Sequence, residues 1–432
     1  MTLPVLRVPH ASPSSGPVAH ADTSLRGRAA ALLGRAAARL ARGVGRDAAV
    51  AGGRVARLVD PHALARAARG RTVVLVTGTN GKTTTTAMIT AAAGPDARPG
   101  RGAAVATNHH GANMPDGVLS ALLAAPRARL AVLEVDESYL AEVAAATDPA
   151  VLVLLNFSRD QLDRVGEVRH VARRVGDAVA AHPDAVVVAL ADDVLCVGAA
   201  EKAGRPVWVS APAPWRADGG VCPRCGGAVA HTRTSWCCTR CGLAPPGAQW
   251  WVDGDAVGTP EGDRVPLRLA LPGRANRLNA AFAVATAAAL GTPPALAAGR
   301  LDTLEAVGGR YRTVVRDGVT VRLLLAKNPA GWEQVFDVLD EAGPRTVVVA
   351  VNDRQADGRD VSWLWDVDFA RLARHRVVAT GDRAADLSVR LAYAGITHEL
   401  GADLAAAALA RRGTVDLVGN YTAFSDADRA LR

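Results

Sequence analysis

The chain has 432 residues, enough for two or three domains with separate cores, and 49% of it is hydrophobic. Its net charge of +8 is spread along the chain rather than gathered in a polybasic block, which favours phosphorylated small molecules over nucleic acid or an anionic membrane as partners. No apolar run approaches the roughly 20 residues of a membrane span, and the first residues carry Pro, His and Ser where a signal peptide has an apolar core. Five of the six cysteines fall between Cys222 and Cys241, a clustering that suggests metal rather than disulfides. The cytoplasm is the compartment consistent with all of this.

Residues 1–23 read as disordered. From 24 to 70, arginine alternates with Ala and Leu at helical spacing (Leu25, Ala29, Leu32, Leu33, Ala36, Leu40). This predicts a helix whose apolar stripe packs on the first domain. A basic amphipathic helix can also lie on an anionic membrane, but the packed reading is favoured. From 71 to about 300 the pattern alternates strand and helix, with strands expected at 72–77, 130–135 and 150–155. That alternation implies an α/β fold with a mostly parallel sheet. Between 204 and 265 the composition shifts to Pro, Gly, Trp and Cys, the mark of an insertion. A second block has strands expected at 346–351, 376–380 and 414–418. The expected domains are therefore 24–308 and a smaller α/β domain at 309–432, meeting near Gly308-Gly309-Arg310.

Three constellations carry chemistry. In the first, the expected strand 72–77 runs into Gly78-Thr79-Asn80-Gly81-Lys82-Thr83-Thr84 and then a helical stretch. Strand, glycine turn, lysine, hydroxyl and helix make a phosphate cradle. Lys82 would meet the β/γ-phosphates of a nucleotide and Thr83 would sit on Mg²⁺. Val76 stands where the usual motif has its first glycine. Glu134 closes an apolar strand; since ligands bind beyond the carboxyl ends of parallel strands, it is the natural second Mg²⁺ ligand. The second constellation is Cys222-x-x-Cys225-Gly and Cys238-x-x-Cys241-Gly, four thiolates in two tight turns that suit tetrahedral Zn²⁺. Cys237 is a possible substitute ligand. Few aromatics beyond Trp236 surround the ribbon, so a structural clip is expected rather than a nucleic-acid module. The third is the acid- and tryptophan-rich run Asn352–Asp366, which reads as an interface loop.

The Gly78–Thr83 stretch, G-T-N-G-K-T, resembles the nucleotide loop of Mur ligases, in which a glutamate stands where Glu134 does. Thr107-Asn108-His109-His110-Gly111-Ala112-Asn113-Met114, Asn156–Arg164, Ala326-Lys327-Asn328-Pro329-Ala330-Gly331 and Asp357–Asp366 are similar to segments of the MurT family in particular. His109 replaces that family's usual arginine. The resemblance implies a Mur ligase-like central domain with an inserted zinc ribbon. It implies that ATP is held with help from Asn276 at the adenine, Arg310 between domains and Lys327. Ordinary Mur ligases also use a carbamylated lysine; the aligned region reads Ala172-Arg173-Arg174-Val175, so that lysine is absent.

The family's activity is ATP-dependent amidation of the D-glutamate α-carboxylate of lipid II through an acyl phosphate. Its ammonia comes from a separate GatD-like glutaminase. A glutaminase nucleophile needs a cysteine on a strained, glycine-flanked turn; the ribbon takes four of the six cysteines, Cys237 sits inside it, and Cys196 has no such turn. The partner's cysteine and histidine would need a third group to orient the histidine, and Asp360 is the expected donor, with Asp357 and Asp366 as competitors. Trp363 and Trp365 would anchor that contact. The resemblance implies lipid II as substrate, and with it a peripheral place at the inner face of the membrane. Two other readings are a stand-alone Mur-type or polyglutamate-type ligase, and an ATP-using zinc-ribbon protein that binds nucleic acid.

Overall fold

Short runs of Val and Leu, bounded by turns and too brief for helices, form strands buried on both faces. The computed structural model describes residues 25–43, 48–94, 105–108, 111–159, 167–211, 217–232, 234–302, 304 and 311–432. Contacts divide the chain into two compact units. One draws on Met1–Phe157, Glu167–Leu269 and Arg277–Leu304, the other on Ser158–Gly166, Ala270–Asn276 and Glu305–Arg432. The segments 1–23 and Gly308-Gly309-Arg310 lie outside the described residues.

The strands of the first unit are β1 (Thr72–Thr77), β2 (Val105–Thr107), β3 (Leu130–Glu134), β4 (Val151–Leu154), β5 (Val186–Leu190) and β6 (Arg205–Ser210). They are followed by β7 (Val229–His231), β8 (Trp236–Cys238), β9 (Trp250–Asp253), β10 (Ala256–Gly258) and β11 (Arg264–Pro266). Nine of them form one sheet in the order β11-β10-β9-β6-β5-β4-β1-β3-β2, while β7 and β8 pair separately. All pairs from β2 to β9 are parallel, and β9–β10–β11 are antiparallel. Strand β1 lies between β3 and β4, with Val76 level with Glu134 and Thr77 level with Leu154. The chain thus leaves β1 to one side of the sheet and continues on the other, and at such a switch point the carboxyl ends open a crevice. The expected insertion at 204–265 is narrower in the fold. Strands β6 and β9–β11 belong to the main sheet, so only the ribbon between them is an excursion.

The second unit has β12 (Tyr311–Arg316), β13 (Val319–Leu325), β14 (Thr346–Ala350), β15 (Arg376–Thr380), β16 (His398–Leu400) and β17 (Gly413–Gly419), in the order β12-β13-β17-β14-β15-β16. Only β12–β13 is antiparallel. Its core centres on Trp332, whose ring lies 5.4 Å from Phe336 and 4.9 Å from Phe369.

The stretch expected as one helix is three: α1 (Leu25–Gly43), α2 (Ala48–Val59) and α3 (Ala63–Ala68). Pro61 ends α2, because proline disfavours helix at the residue before it. Buried Asp60 then accepts from the His62 amide at 3.0 Å and pairs with Arg66 at 2.8 Å. The stripe expected to pack inward is the outward one: Leu25, Leu32, Leu33 and Leu40 are exposed, while Gly27, Ala30 and Gly34 are buried. Small residues win that face because α1 and α2 meet at backbone distance. A Cβ on Gly34 would lie 2.7 Å from the Gly52 carbonyl oxygen, and one on Gly53 only 1.8 Å from that of Asp116. Gly53→Ala should therefore force α2 away from the Pro115–Ala124 helix. An overpacking cost of about 1–3 kcal/mol is expected, read as a lowered midpoint of thermal unfolding with the far-UV spectrum retained.

Candidate active site

Strand β1 is buried from Val73 to Thr77 and runs into Gly78, where φ is +131°; Gly81 has φ of +86° and caps the helix Lys82–Ala93. Both turns need glycine for space as well as for dihedral angle. A Cβ at Gly78 would lie 3.0 Å from the backbone of Asn156, and one at Gly81 would lie 2.9 Å from Asn279 Oδ1. Asn156, just beyond β4, clamps the loop. Its Oδ1 accepts from the Asn80 amide at 2.9 Å, its Nδ2 donates to the Asn80 carbonyl at 3.0 Å, and its own carbonyl accepts from the Thr79 amide at 2.9 Å. The helix starts with Thr85 N donating to Gly81 O at 2.8 Å. The amides of Lys82, Thr83 and Thr84 are thus the helix-end donors that have no intrahelical acceptor, and they carry the positive end of the dipole.

Lys82 is buried. Its Nζ donates to the Gly78 carbonyl at 2.6 Å and to Glu137 Oε2 at 3.0 Å. Burial alone would lower its pKa, but the carboxylates of Glu137, Glu134 and Asp136 overcome that and raise it. The lysine is therefore charged at neutral pH. Thr83 Oγ1 donates to Glu134 Oε2 at 2.8 Å, which joins the two expected magnesium ligands directly. Glu134 is itself held from the polar segment after β2. Asn108 Oδ1 accepts from the Glu134 amide and its Nδ2 donates to the Glu134 carbonyl, both at 2.8 Å; Asn113 Nδ2 lies 3.4 Å from Glu134 Oε1. A hydroxyl beside a carboxylate is a hard oxygen pair of the kind that keeps Mg²⁺ with phosphate and water. His109, His110 and residues 160–166 lie outside the described residues.

The other expected site residues fall as follows. Asn276 lies in the first turn of the helix Arg274–Ala289 rather than at its cap, and its Nδ2 donates to the Pro272 carbonyl at 2.7 Å. Three residues on, Asn279 accepts from Thr85 Oγ1 at 3.1 Å and backs the Gly81 turn. Arg310 lies outside the described residues. Lys327, in the second unit, follows β13 and is half-buried, next to Asn328, which caps the helix Pro329–Ala342. Arg173 and Arg174 occupy the helix Val168–Ala180 where the carbamylated lysine of ordinary Mur ligases would be sought. Sequence reasoning did not single out Asn156, Asn279 or Glu137 as site residues. Each acts through a partner distant in sequence; Asn156 is marked only as an asparagine in a loop after a strand, and Asn279 only as a polar residue near a helix start.

In the ribbon, Cys222, Cys225, Cys238 and Cys241 bring their sulfurs within 4.8 Å of one another. The closest pairs are Cys222–Cys241 at 3.6 Å and Cys225–Cys238 at 3.5 Å. A tetrahedron with Zn–S bonds of ~2.3 Å has edges of ~3.8 Å, so the set fits zinc. Gly226 and Gly242, at φ of +72° and +71°, close matching turns after each pair. The Cys241 and Arg240 amides point at Cys238 Sγ at 3.4 Å each and pull its thiol down to about 6. At Cys225 the Gly227 amide favours the thiolate, but burial and the facing thiols prevail and push it up to about 12. Four thiolates at this spacing call for a cation. Cys237 is exposed and faces away, its Sγ directed at the Cys238 carbonyl, because side chains alternate along β8. Elemental analysis should find one zinc per chain. Cys222→Ser should lower that content and reduce the melting temperature by at least ~4 °C, the shift that ~2 kcal/mol produces in a domain of this class.

Residues 76–213 match the Mur ligase middle domain and residues 325–424 match the MurT ligase C-terminal domain. The chain is 30% identical over 384 residues to the MurT subunit of lipid II isoglutaminyl synthase (glutamine-hydrolyzing) from Streptococcus pneumoniae R6, with 80% of this chain and 82% of the relative covered. The subunit of that name from Staphylococcus aureus N315 is 27% identical over 371 residues, with the same shares of 80% and 82%. In fold the chain is similar to a pseudomurein peptide ligase type C from Methanothermus fervidus, with a TM-score of 0.63 at 18% identity over 84% of this chain and 79% of that one. The nucleotide-loop region and the second unit thus each have a counterpart, and one relative is matched across four fifths of both chains: the chain belongs to the MurT family.

Proposed function

We propose that the chain is the synthetase subunit of a lipid II isoglutaminyl synthase, amidating the α-carboxylate of D-glutamate in the stem peptide to D-isoglutamine. The observation that carries this reading is the match, across both regions, to subunits that bear that name. Magnesium-ATP supplies the activating chemistry: its γ-phosphoryl group passes to the carboxylate, and ammonia displaces phosphate from the acyl phosphate so formed. On this reading Lys82 gives up Glu137 to meet the β/γ-phosphates, and the amides of the 78–84 loop cradle them. Thr83 and Glu134 hold the magnesium. Asn276, Arg310 and Lys327 complete the nucleotide site, and the working domains are 24–308 and 309–432.

The ammonia is assigned to a GatD-like glutaminase subunit. Cys196 is buried within the helix Val194–Ala200, and burial pushes its thiol well above the ordinary range, so it is no nucleophile. The three candidate acids of the loop 352–366 have different surroundings. Asp357 accepts from both the amide and the hydroxyl of Thr422, and Asp366 pairs with Arg159 at 3.2 Å. Asp360 is exposed; the Ser362 amide, donating at 2.8 Å, and the Ser362 hydroxyl hold its carboxyl below the usual range. An ionised, outward carboxylate is what a histidine base in a partner needs as its third member. Trp365 is 56% exposed, lies 5.3 Å from Tyr393 and carries Arg390 against its ring. These groups are the aromatic and arginine chemistry of an interface anchor. Trp363 packs instead against the core of the second unit.

Co-purification with the candidate glutaminase, followed by an assay of glutamine-dependent lipid II amidation, tests the reading. Absence of ATP-dependent amidation by the intact pair would overturn it. Lys82→Ala and Glu134→Ala should each lower turnover by at least ~10²-fold, the scale on which single preorganised charge partners act, with the complex still forming. Asp360→Asn should cut glutamine-dependent amidation by ~10²-fold or more while amidation fed with ammonium salts continues. Equal loss with both nitrogen sources would move Asp360 out of the glutaminase role.

A further inference from the structure

Helix α1 has two apolar faces, and among the described residues only one has a partner. The buried face is the Gly27, Ala30, Gly34 line against α2. On the opposite side Leu25, Leu32, Leu33 and Leu40 are 85%, 62%, 50% and 72% exposed. Arg26 Nε donates to the Val59 carbonyl at 2.7 Å, which brings Leu58 of α2, 79% exposed, to the same end as Leu25. At 3.6 residues per turn, Arg28, Arg35 and Arg39 run along one edge of the leucine stripe and Arg26 along the other. Arg26, Arg28 and Arg39 are exposed and Arg35 is half-buried. Neither α1 nor α2 contains an acidic residue.

We infer that the outward leucine face of α1 docks the chain on an anionic lipid surface. A straight helix of 19 residues presents a strip ~28 Å long. Leucines on such a strip sink into the boundary between headgroups and acyl chains, while flanking arginines reach up to the phosphates. A protein partner would be met instead by aromatic and methionine anchors, and α1 contains none. No helix among the described residues is long and apolar enough to cross a membrane, so the contact is peripheral. This inference rests on the helix itself and not on the proposed activity.

The test is sedimentation of the full chain with vesicles of phosphatidylglycerol and phosphatidylcholine, against phosphatidylcholine alone, with no lipid II present. Binding is expected only to the anionic vesicles. It should weaken between about 0.1 M and about 1 M salt, as the Debye length falls from about 10 Å to about 3 Å. Leu32→Gln/Leu33→Gln/Leu40→Gln should lose at least ~10-fold in vesicle affinity, and Arg35→Glu/Arg39→Glu should lose the preference for anionic lipid, both with unchanged thermal unfolding. Wild-type protein that stays in the supernatant, or a leucine variant that sediments as well as wild type, would overturn the inference. So would a concentration-dependent dimer that the leucine variant abolishes without any vesicle binding, which would assign the face to a second copy of the chain.

Discussion

A buried lysine sustains the first unit's site. Taking an ammonium out of water costs several kcal/mol unless it is paired. Lys82 is repaid by the Gly78 carbonyl, the Glu137 carboxylate at 3.0 Å and the fields of Glu134 and Asp136. The dependence is mutual, since those acids crowd one strand end and would repel one another without the cation. The loop glycines, the Asn156 clamp and the level ends of β1, β3 and β4 all keep this cluster in register. The arrangement is a charge balance with an exchangeable member: a phosphate can take the place of Glu137 beside Lys82 without leaving the lysine unpaired.

Much of this was legible in the residues. The strand at 72–77 was placed to the residue, and those at 130–135, 150–155, 346–351 and 414–418 to within one residue at either end, because buried parallel strands are written as unbroken apolar runs. That the lysine, threonine and glutamate would come together was legible, because a glycine turn followed by lysine and threonine and an acid closing an apolar strand are local patterns. Asn108, Asn156 and Asn279 were not legible as supports. Asn108 and Asn156 read as ordinary loop residues and Asn279 as part of a helix start, and their roles are set by partners such as Asn80, Glu134 and Thr85 that only the fold brings near. The cysteine pairs were readable for the opposite reason, since ligand spacing and the following glycines are both local. The insertion was drawn too wide because the tryptophans of β9 share the ribbon's composition while belonging to the main sheet.

Helix α1 shows where periodicity misleads. A hydrophobic stripe was taken to mark the packing face, yet the leucines face out and glycine and alanine face in. Amphipathic spacing reports that a helix has two unlike faces. It does not report which one the protein covers. When backbones approach closely enough for a glycine carbonyl to sit 2.7 Å from where a Cβ would be, only small residues fit, and they register weakly on any hydrophobic scale. The buried face was therefore the less apolar one.

The loop 352–366 carries a related lesson about charge. Three of its four acids, Asp357, Asp360 and Asp366, lie within ten positions and look equivalent in sequence, yet backbone geometry divides them. Asp357 fastens the loop to the start of the helix Tyr421–Ala430 through Thr422, and Asn352 and Asn420 bond to each other across the ends of β14 and β17. Asp366 is tied to Arg159. With the loop anchored at both ends, Asp360 keeps only Ser362 as partner among the described residues and faces solvent. A carboxylate held from behind, with no cation paired to it among the described residues, suits work outside its own chain. A floppy loop would lose that advantage to the entropy of ordering it on each encounter, which is why the two spent acids matter as much as the free one.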